Sequence, residues 1–412
     1  MKKVITFVRI LAGAVFIFSG IVKGVDPAGS AIKFGEYLEA FHLDFLHFLV
    51  LPMAFLLPLL EFLIGISLLF NIHVRWGERG FLWFMLFFTP LTLILALFNP
   101  VSDCGCFGDA VVLTNWQTFG KNVALLAMAF FLHHRRHLLQ PTRPPATDHL
   151  LTGAYALFFL FLAWYSYVHL PLFDFRPYKI GANIPQEMTI PEDAPHDVYE
   201  TTLIYEKDGV QKEFTMDNFP WQDTTWKFVD QRTVLVKRGY IPPIHDFSIV
   251  MPDGTDITDM VLSSKDPVFL LISPDFSEAS EAGLNRAVRL FEALEKKGIA
   301  MYVVTASPEE SAVERFGSHY PVPWTGMDET TCKTVIRSNP GLVLVKEGTI
   351  LAKWHHRDIP GPSLASEDLL SFSVSRLRKQ NEVRLASFLI TLMLLIITVA
   401  PRRGILHSRK IS

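Results

Sequence analysis

The chain has 412 residues, half of them hydrophobic and only 19% charged, against about 25% in an average soluble domain. Its formal net charge of −3, with no basic run interleaved with aromatics and no GxxxxGK[ST] loop, excludes nucleic acid and nucleotides as partners. The apolar residues concentrate in 1–170 and 385–400, while 175–384 reads as an ordinary soluble region, so two or three domains are expected.

The N-terminus opens with Lys2 and Lys3 and then an apolar run from Val4 to Val22. That run is longer than the core of a signal peptide and no A-x-A-like site follows it, so a retained membrane helix is expected. A spanning helix needs about 20 mostly apolar residues. Six segments qualify: 4–23, 46–70, 80–98, 117–134, 150–169 and 384–401. The fourth is the weakest, since Lys121 and Asn122 interrupt it near its start. Lys and Arg accumulate on the cytoplasmic side of membrane proteins, and that bias orients the set. Lys2, Lys3, Arg9, Arg75, Arg79, Arg135, Arg136, Arg143, Arg402, Arg403, Arg409 and Lys410 fall on one side, whereas 24–45 and 99–116 hold only Lys33. Keeping the fourth span preserves this agreement. The expectation is a multi-pass protein of a bacterial inner membrane with both termini cytoplasmic and 171–383 outside.

Between the first two spans, Asp26-Pro27 is a good helix start, and 28–41 reads as a short helix at the outer interface. Glu61 lies mid-span, where a charge costs on the order of 3 kcal/mol, so it is expected to be paired, protonated or turned into the bundle. It suits either a ligand or proton site, or a buried polar link between helices. After the third span comes Asp103-Cys104-Gly105-Cys106-Phe107-Gly108-Asp109, two cysteines one residue apart in a turn that needs glycine's permissive backbone. A Cys104–Cys106 disulfide would close a small strained ring, and strained exposed disulfides are the labile ones. Three readings stay open: a redox pair, half of a metal site, or a structural turn. Since no further ligand pair stands nearby, no metal is expected.

Residues 1–140 resemble the DoxX/MauE-like family of four-helix membrane proteins. The features that carry the resemblance are Arg9-x-Leu11-x-Gly13, Phe18-Ser19-Gly20, Lys23-x-x-Asp26-Pro27, Pro58-x-x-Glu61-x-x-x-Gly65, the Cys104-Gly105-Cys106-Phe107-Gly108 run, and Trp116-x-Thr118-Phe119-x-Lys121-Asn122. The resemblance implies a membrane component linked to redox or disulfide chemistry. MauE-type members are associated with maturation of methylamine dehydrogenase and DoxX-type members with electron transfer involving thiosulfate or quinone. A quinone is therefore a candidate cofactor, and the lipid bilayer and an envelope protein are the expected partners.

In the middle region, 171–244 is rich in β-formers, with Asp208-Gly209 between two strand-like runs as a hairpin signal and 181–195 as a Pro-rich linker. Trp221 and Trp226 read as core or docking residues. From 245 to 362 strands alternate with helices: strand 268–273, helix 278–297, strand 300–305, helices 308–319 and 329–336, then strands 342–345 and 349–354 around Glu347-Gly348. That order resembles a thioredoxin-like domain, with Pro340 at the position of the family's cis-proline. The family's CxxC, which belongs at a helix N-terminus after the first core strand, is replaced by Ser277-Glu278-Ala279-Ser280. Serine cannot carry thiol–disulfide exchange, so a binding or scaffolding domain is expected. Cys332 reads as a buried apolar residue, and His133, His134, His137, His355 and His356 as surface residues. The expected architecture is thus a helical bundle over 1–140, a fifth span over 150–170, the β-rich segment, the α/β domain, and a C-terminal span with a basic tail over 384–412.

Overall fold

The structure, a computed structural model, describes residues 1–101, 103–308 and 323–399. The first third is helical: α1 (Lys2–Val25), α2 (Pro27–Ala40), α3 (Val50–Phe70), α4 (Val74–Phe98) and α5 (Asn115–His134), followed by α6 (Pro145–Val168). Local chemistry sets the boundaries. Asp26 accepts a hydrogen bond from Gly29 N at 2.9 Å and so caps α2, with Pro27 in the first turn. Asn71 and Asn99 end α3 and α4 in the left-handed conformation that asparagine tolerates, and Thr114 with Gln117 forms a capping box on α5. Helices α1 and α3 pack backbone to backbone: a Cβ on Gly20 would lie 2.8 Å from Phe62 N and from Pro58 O.

Among the described residues, five helices are long and apolar enough to cross a membrane: Lys2–Val25, Asp44–Phe70, Val74–Phe98, Pro145–Val168 and Leu369–Val399. The count expected from sequence was six. The missing member is α5, whose first half carries Asn115, Gln117, Lys121 and Asn122, although its buried Leu125, Ala129 and Leu132 share one core with α1 and α4. The last span also departs from expectation. Helix α11 (Leu369–Val399) begins well before residue 384, because Leu369 and Phe372 pack on the outer domain and the Arg376 guanidinium lies over the Trp354 ring, 5.5 Å from its centroid. The basic tail residues Arg402, Arg403, Arg409 and Lys410 and the expected helix over 308–319 lie, apart from Pro308, outside the described residues.

The region between α6 and α11 contains two sheets. Strands β1 (Val198–Lys207), β2 (Val210–Thr215) and β3 (Lys227–Lys237) form an antiparallel sheet in the order β2-β1-β3. Asp208 and Gly209, both at positive φ, make the hairpin turn; β3 was not expected from the sequence. Tyr205, Phe214, Phe219 and Trp226 group on this sheet, whereas Trp221 is exposed.

The second sheet has five strands: β4 (Val268–Ser273), β5 (Met301–Thr305), β6 (Trp324–Gly326), β7 (Gly341–Lys346) and β8 (Thr349–His355), in the order β6-β5-β4-β7-β8. The β4–β5 and β5–β6 pairs are parallel, and the β4–β7 and β7–β8 pairs antiparallel. Every β4 residue is buried, as a central strand covered on both faces requires. Phe269 and Leu271 face α9 (Glu281–Glu295) and Trp354, while Val268, Leu270 and Ile272 face α10 (Glu329–Val335), where Cys332 is fully buried as expected. The stretch expected as a linker is instead part of this unit. Tyr178 and Ile184 join the second core, Gly181 and Ala182 exchange backbone hydrogen bonds with Ile350 of β8, and Ile184 to Met188 forms a short helix, α7. His355 is buried rather than exposed, and desolvation pushes its imidazole down to about 3. His133 likewise departs from a free surface role, pairing with the buried Glu78 at 2.6 Å.

Polar contacts tie the outer sheet unit to the helices. Asp174 pairs with Arg176 at 2.8 Å and with the buried Lys353 of β8 at 3.1 Å; His169, just past α6, meets Asp358 at 2.9 Å. Arg384 on α11 donates to Leu172 O at 2.7 Å.

Candidate functional site

The loop joining α4 to α5 folds back over the outer ends of α1 and α2. Gly105 stands at φ +61° and Gly108 at +50°, and the Asp103 carboxylate accepts from Gly105 N at 2.8 Å. The turn brings Cys104 Sγ and Cys106 Sγ to 2.8 Å, both as free thiols in this structure. Each cysteine is also held through its backbone: Tyr37 of α2 donates from its hydroxyl to Cys104 O at 2.6 Å, and Ser19 of α1 donates to Cys106 O at 2.7 Å.

Ser19 connects the loop to the intramembrane carboxylate. Its hydroxyl lies 3.0 Å from Glu61 Oε2, and Lys23 Nζ donates to Glu61 Oε1 at 2.5 Å. Glu61 is therefore buried and paired, across the close α1–α3 contact that Gly20 permits. Lys33 bridges Asp103 at 3.0 Å and Glu36 at 2.9 Å. Phe107 packs on Phe18, and Lys121 Nζ sits 4.4 Å from the Phe107 ring centroid.

These surroundings make the two thiols unequal. The Cys104 thiol donates toward Cys106 Sγ, and the Lys121 and Lys23 cations add to this against burial, so the Cys106 thiol is brought down to about 6. Cys104 moves up, because its proton is the one held between the sulfurs and it is buried beside the Cys106 charge. Burial and the adjoining Cys104 push the Tyr37 hydroxyl up, so it stays a donor.

The thiols open on a cavity of about 1000 Å³ between the bundle and the outer sheet unit. Its floor is apolar, formed by Phe16, Phe84, Met85, Phe88 and Leu91 from α1 and α4, and its opposite wall includes Asp275, Ser338 and Asn339. That wall adjoins the turn that carries Ser277 and Ser280. Ser277 lies in a single 3₁₀ turn (Phe276–Glu278), its N–H donating to Asp275 Oδ1 at 2.7 Å, and Ser280 caps α9 and donates from its N–H to Asn339 O at 3.0 Å. The Asn339–Pro340 bond is cis. The Ser280 hydroxyl is thus spent on capping α9, while Ser277 is held through its N–H by Asp275, and among the described residues Cys104 and Cys106 are the cysteines that line this cavity.

All the candidates from the 103–109 run, with Lys23, Asp26 and Glu61, gather at one end of the bundle. Sequence reasoning missed five participants, among them Lys33, which pairs with Asp103, and Arg337, whose guanidinium pairs with Asp26 and Asp109. Ser19 and Lys121 stand inside the motifs that carried the family resemblance but without a role. Tyr37 and Arg337 gave no signal, because their partners are 67 residues away in one case and 311 and 228 in the other.

A helical bundle with several membrane-crossing helices and an appended sheet-containing region defines a multi-pass membrane protein. Residues 1–135 match the family model for Methylamine utilisation protein MauE, and residues 199–238, the three-stranded sheet, match a domain of unknown function, DUF8463. No curated protein and no solved structure matches the chain.

Proposed function

We propose that this protein is an inner-membrane accessory factor of envelope redox, disulfide or cofactor-maturation chemistry, in which Cys104 and Cys106 exchange disulfides with a client. The observation that carries this reading is the thiol pair itself: two sulfurs 2.8 Å apart at the mouth of a cavity, one of them brought down by the hydrogen bond from the other and by neighbouring cations. The reaction balances without a metal or an outside oxidant. The Cys106 thiolate attacks one sulfur of a client disulfide, forming a mixed disulfide and releasing the other client sulfur as a thiolate. Cys104 gives its proton to the released client thiolate and attacks the mixed disulfide at the Cys106 sulfur, and the second client sulfur leaves as a thiolate that takes a proton from water. The client leaves as a dithiol, and a Cys104–Cys106 disulfide remains. Run backward, the same steps oxidise a client dithiol.

In this reading 1–140 is the DoxX/MauE-like bundle, α5 crosses the membrane as the sixth span, both termini are cytoplasmic, and 171–383 is periplasmic. The sheet unit is a thioredoxin-like domain without CxxC that binds the client or the bundle. The strand order β6-β5-β4-β7-β8 and the cis bond before Pro340 support that assignment. A second reading, a quinone-linked oxidoreductase subunit, draws on the apolar floor of the cavity beneath Cys106 and Glu61. A third, a purely structural CGC turn in a scaffold protein, draws on the two backbone anchors from Ser19 and Tyr37.

Mass-tagging of thiols in isolated membranes, with and without reductant, tests the first reading, which expects Cys104 and Cys106 to pass between tagged and untagged states. If Cys104→Ser combined with Cys106→Ser leaves the cellular phenotype of the intact gene unchanged, the redox role is wrong.

A further inference from the structure

Arg337 follows α10 and precedes the cis Asn339–Pro340 bond, and its side chain reaches from the sheet unit to the helical bundle. Its Nε donates to Asp26 Oδ2 at 2.9 Å and its Nη2 to Asp109 Oδ2 at 2.8 Å. The third nitrogen, Nη1, donates to Lys333 O at 2.7 Å and so fixes the guanidinium to its own domain. Both acceptors belong to the bundle: Asp26 caps α2, and Asp109 closes the same loop that carries the two cysteines. The guanidinium is buried, and burial is outweighed by the Asp26 and Asp109 charges, which hold it protonated.

We infer that the outer sheet unit is a lid over the thiol pair, latched by Arg337 on Asp26 and Asp109, and that a client reaches Cys104 and Cys106 when the latch opens. The client in this statement rests on the disulfide-exchange reading above; the lid does not. The geometry supports a release on the Asp109 side. The Asp109 side chain is 39% exposed against 15% for Asp26, so water competes for that arm first. Residues of 274–278 and 333–339 line the cavity together with Asp103 to Asp109, so displacing the first two segments widens the approach to the two partly exposed sulfurs.

The test measures accessibility alone, on the full chain in native membranes kept under reductant, with a maleimide mass tag. Cys332, fully buried in the outer unit, serves as the internal folding gauge. Arg337→Gln and Asp109→Asn are each expected to raise the tagging rate of Cys104 and Cys106 by about tenfold or more, as loss of a charge-assisted contact shifts an open–closed equilibrium. Cys332 is expected to stay protected. An unchanged rate in both variants with Cys332 still protected overturns the lid. If Arg337→Gln exposes Cys332, the milder Asp109→Asn decides by the same criterion. Exposure of Cys332 in both variants also overturns it, since Arg337 would then hold the fold of the outer unit rather than its position. A faster rate together with no redox cycling in unmodified membranes keeps the lid and removes the exchange reading.

Discussion

At the level of single residues, Cys104 and Cys106 differ sharply although one glycine separates them. Cys106 has the cations of Lys121 and Lys23 for company, while Cys104 holds the shared proton. Alkylation of Cys106 under reductant should therefore rise with pH about a midpoint near 6, where an unperturbed thiol titrates at about 8.5. The sign follows from charge. A cation favours the thiolate, so Lys121→Gln should move that midpoint up by about one pH unit, read from the pH dependence of iodoacetamide labelling of Cys106 with Cys104 left in place and the labelled site resolved by peptide mapping. A midpoint that does not move would remove Lys121 from the site. The Cys-Gly-Cys spacing was legible in the sequence as a redox candidate. The inequality of the two thiols was not, because Lys121 and Lys23 approach them from other helices.

At the level of elements, the α1–α3 contact decides where Glu61 finds its partner. Lys23 lies 38 residues from Glu61 in the chain, and the pair forms because glycines let the two helices touch. Glu61→Gln leaves the Lys23 charge half-buried and unpaired, and should cost about 3 kcal/mol of stability. Thermal unfolding in mild detergent reads this, and Lys23→Met added to Glu61→Gln should restore most of the loss, since the unpaired charge is then gone. Gly20→Val tests the packing itself. Its side chain would drive into Phe62 and the Pro58 carbonyl, at a cost of about 1–3 kcal/mol. A Gly20→Val protein as stable as the parent would mean that the helices do not pack this closely. Reading the apolar runs and strand-like stretches located the long helices of the first 170 residues and most strands, but not α7, which fell in the expected linker. It missed β3 and β6, the latter only three residues long, and placed the start of the last helix too late, because its polar first turns pack on Trp354 rather than on lipid.

At the level of the whole molecule, the proposed orientation rests on the arginine distribution and the location of the apolar runs. Protease added to the outer face of spheroplasts should degrade residues 171–383 while sparing a tag at either terminus. Protection of the outer unit, or loss of a terminal tag, would contradict the six-span arrangement and with it the shared compartment of thiols and sheet unit. The seating of that unit on the bundle had no trace in the sequence. It depends on Arg337 meeting Asp26 and Asp109, and on Asp174 meeting Lys353, pairs that only the folded chain brings together.

By itself the sequence determined what local physics can specify: where a run is oily enough for a bilayer, where Asp-Pro can start a helix, and where two thiols share a turn. Tertiary structure decided which charges those thiols face and what covers them. Electrostatic influence acts through distances of a few ångströms, and here those distances join residues from Ser19 to Arg337 that lie far apart along the chain.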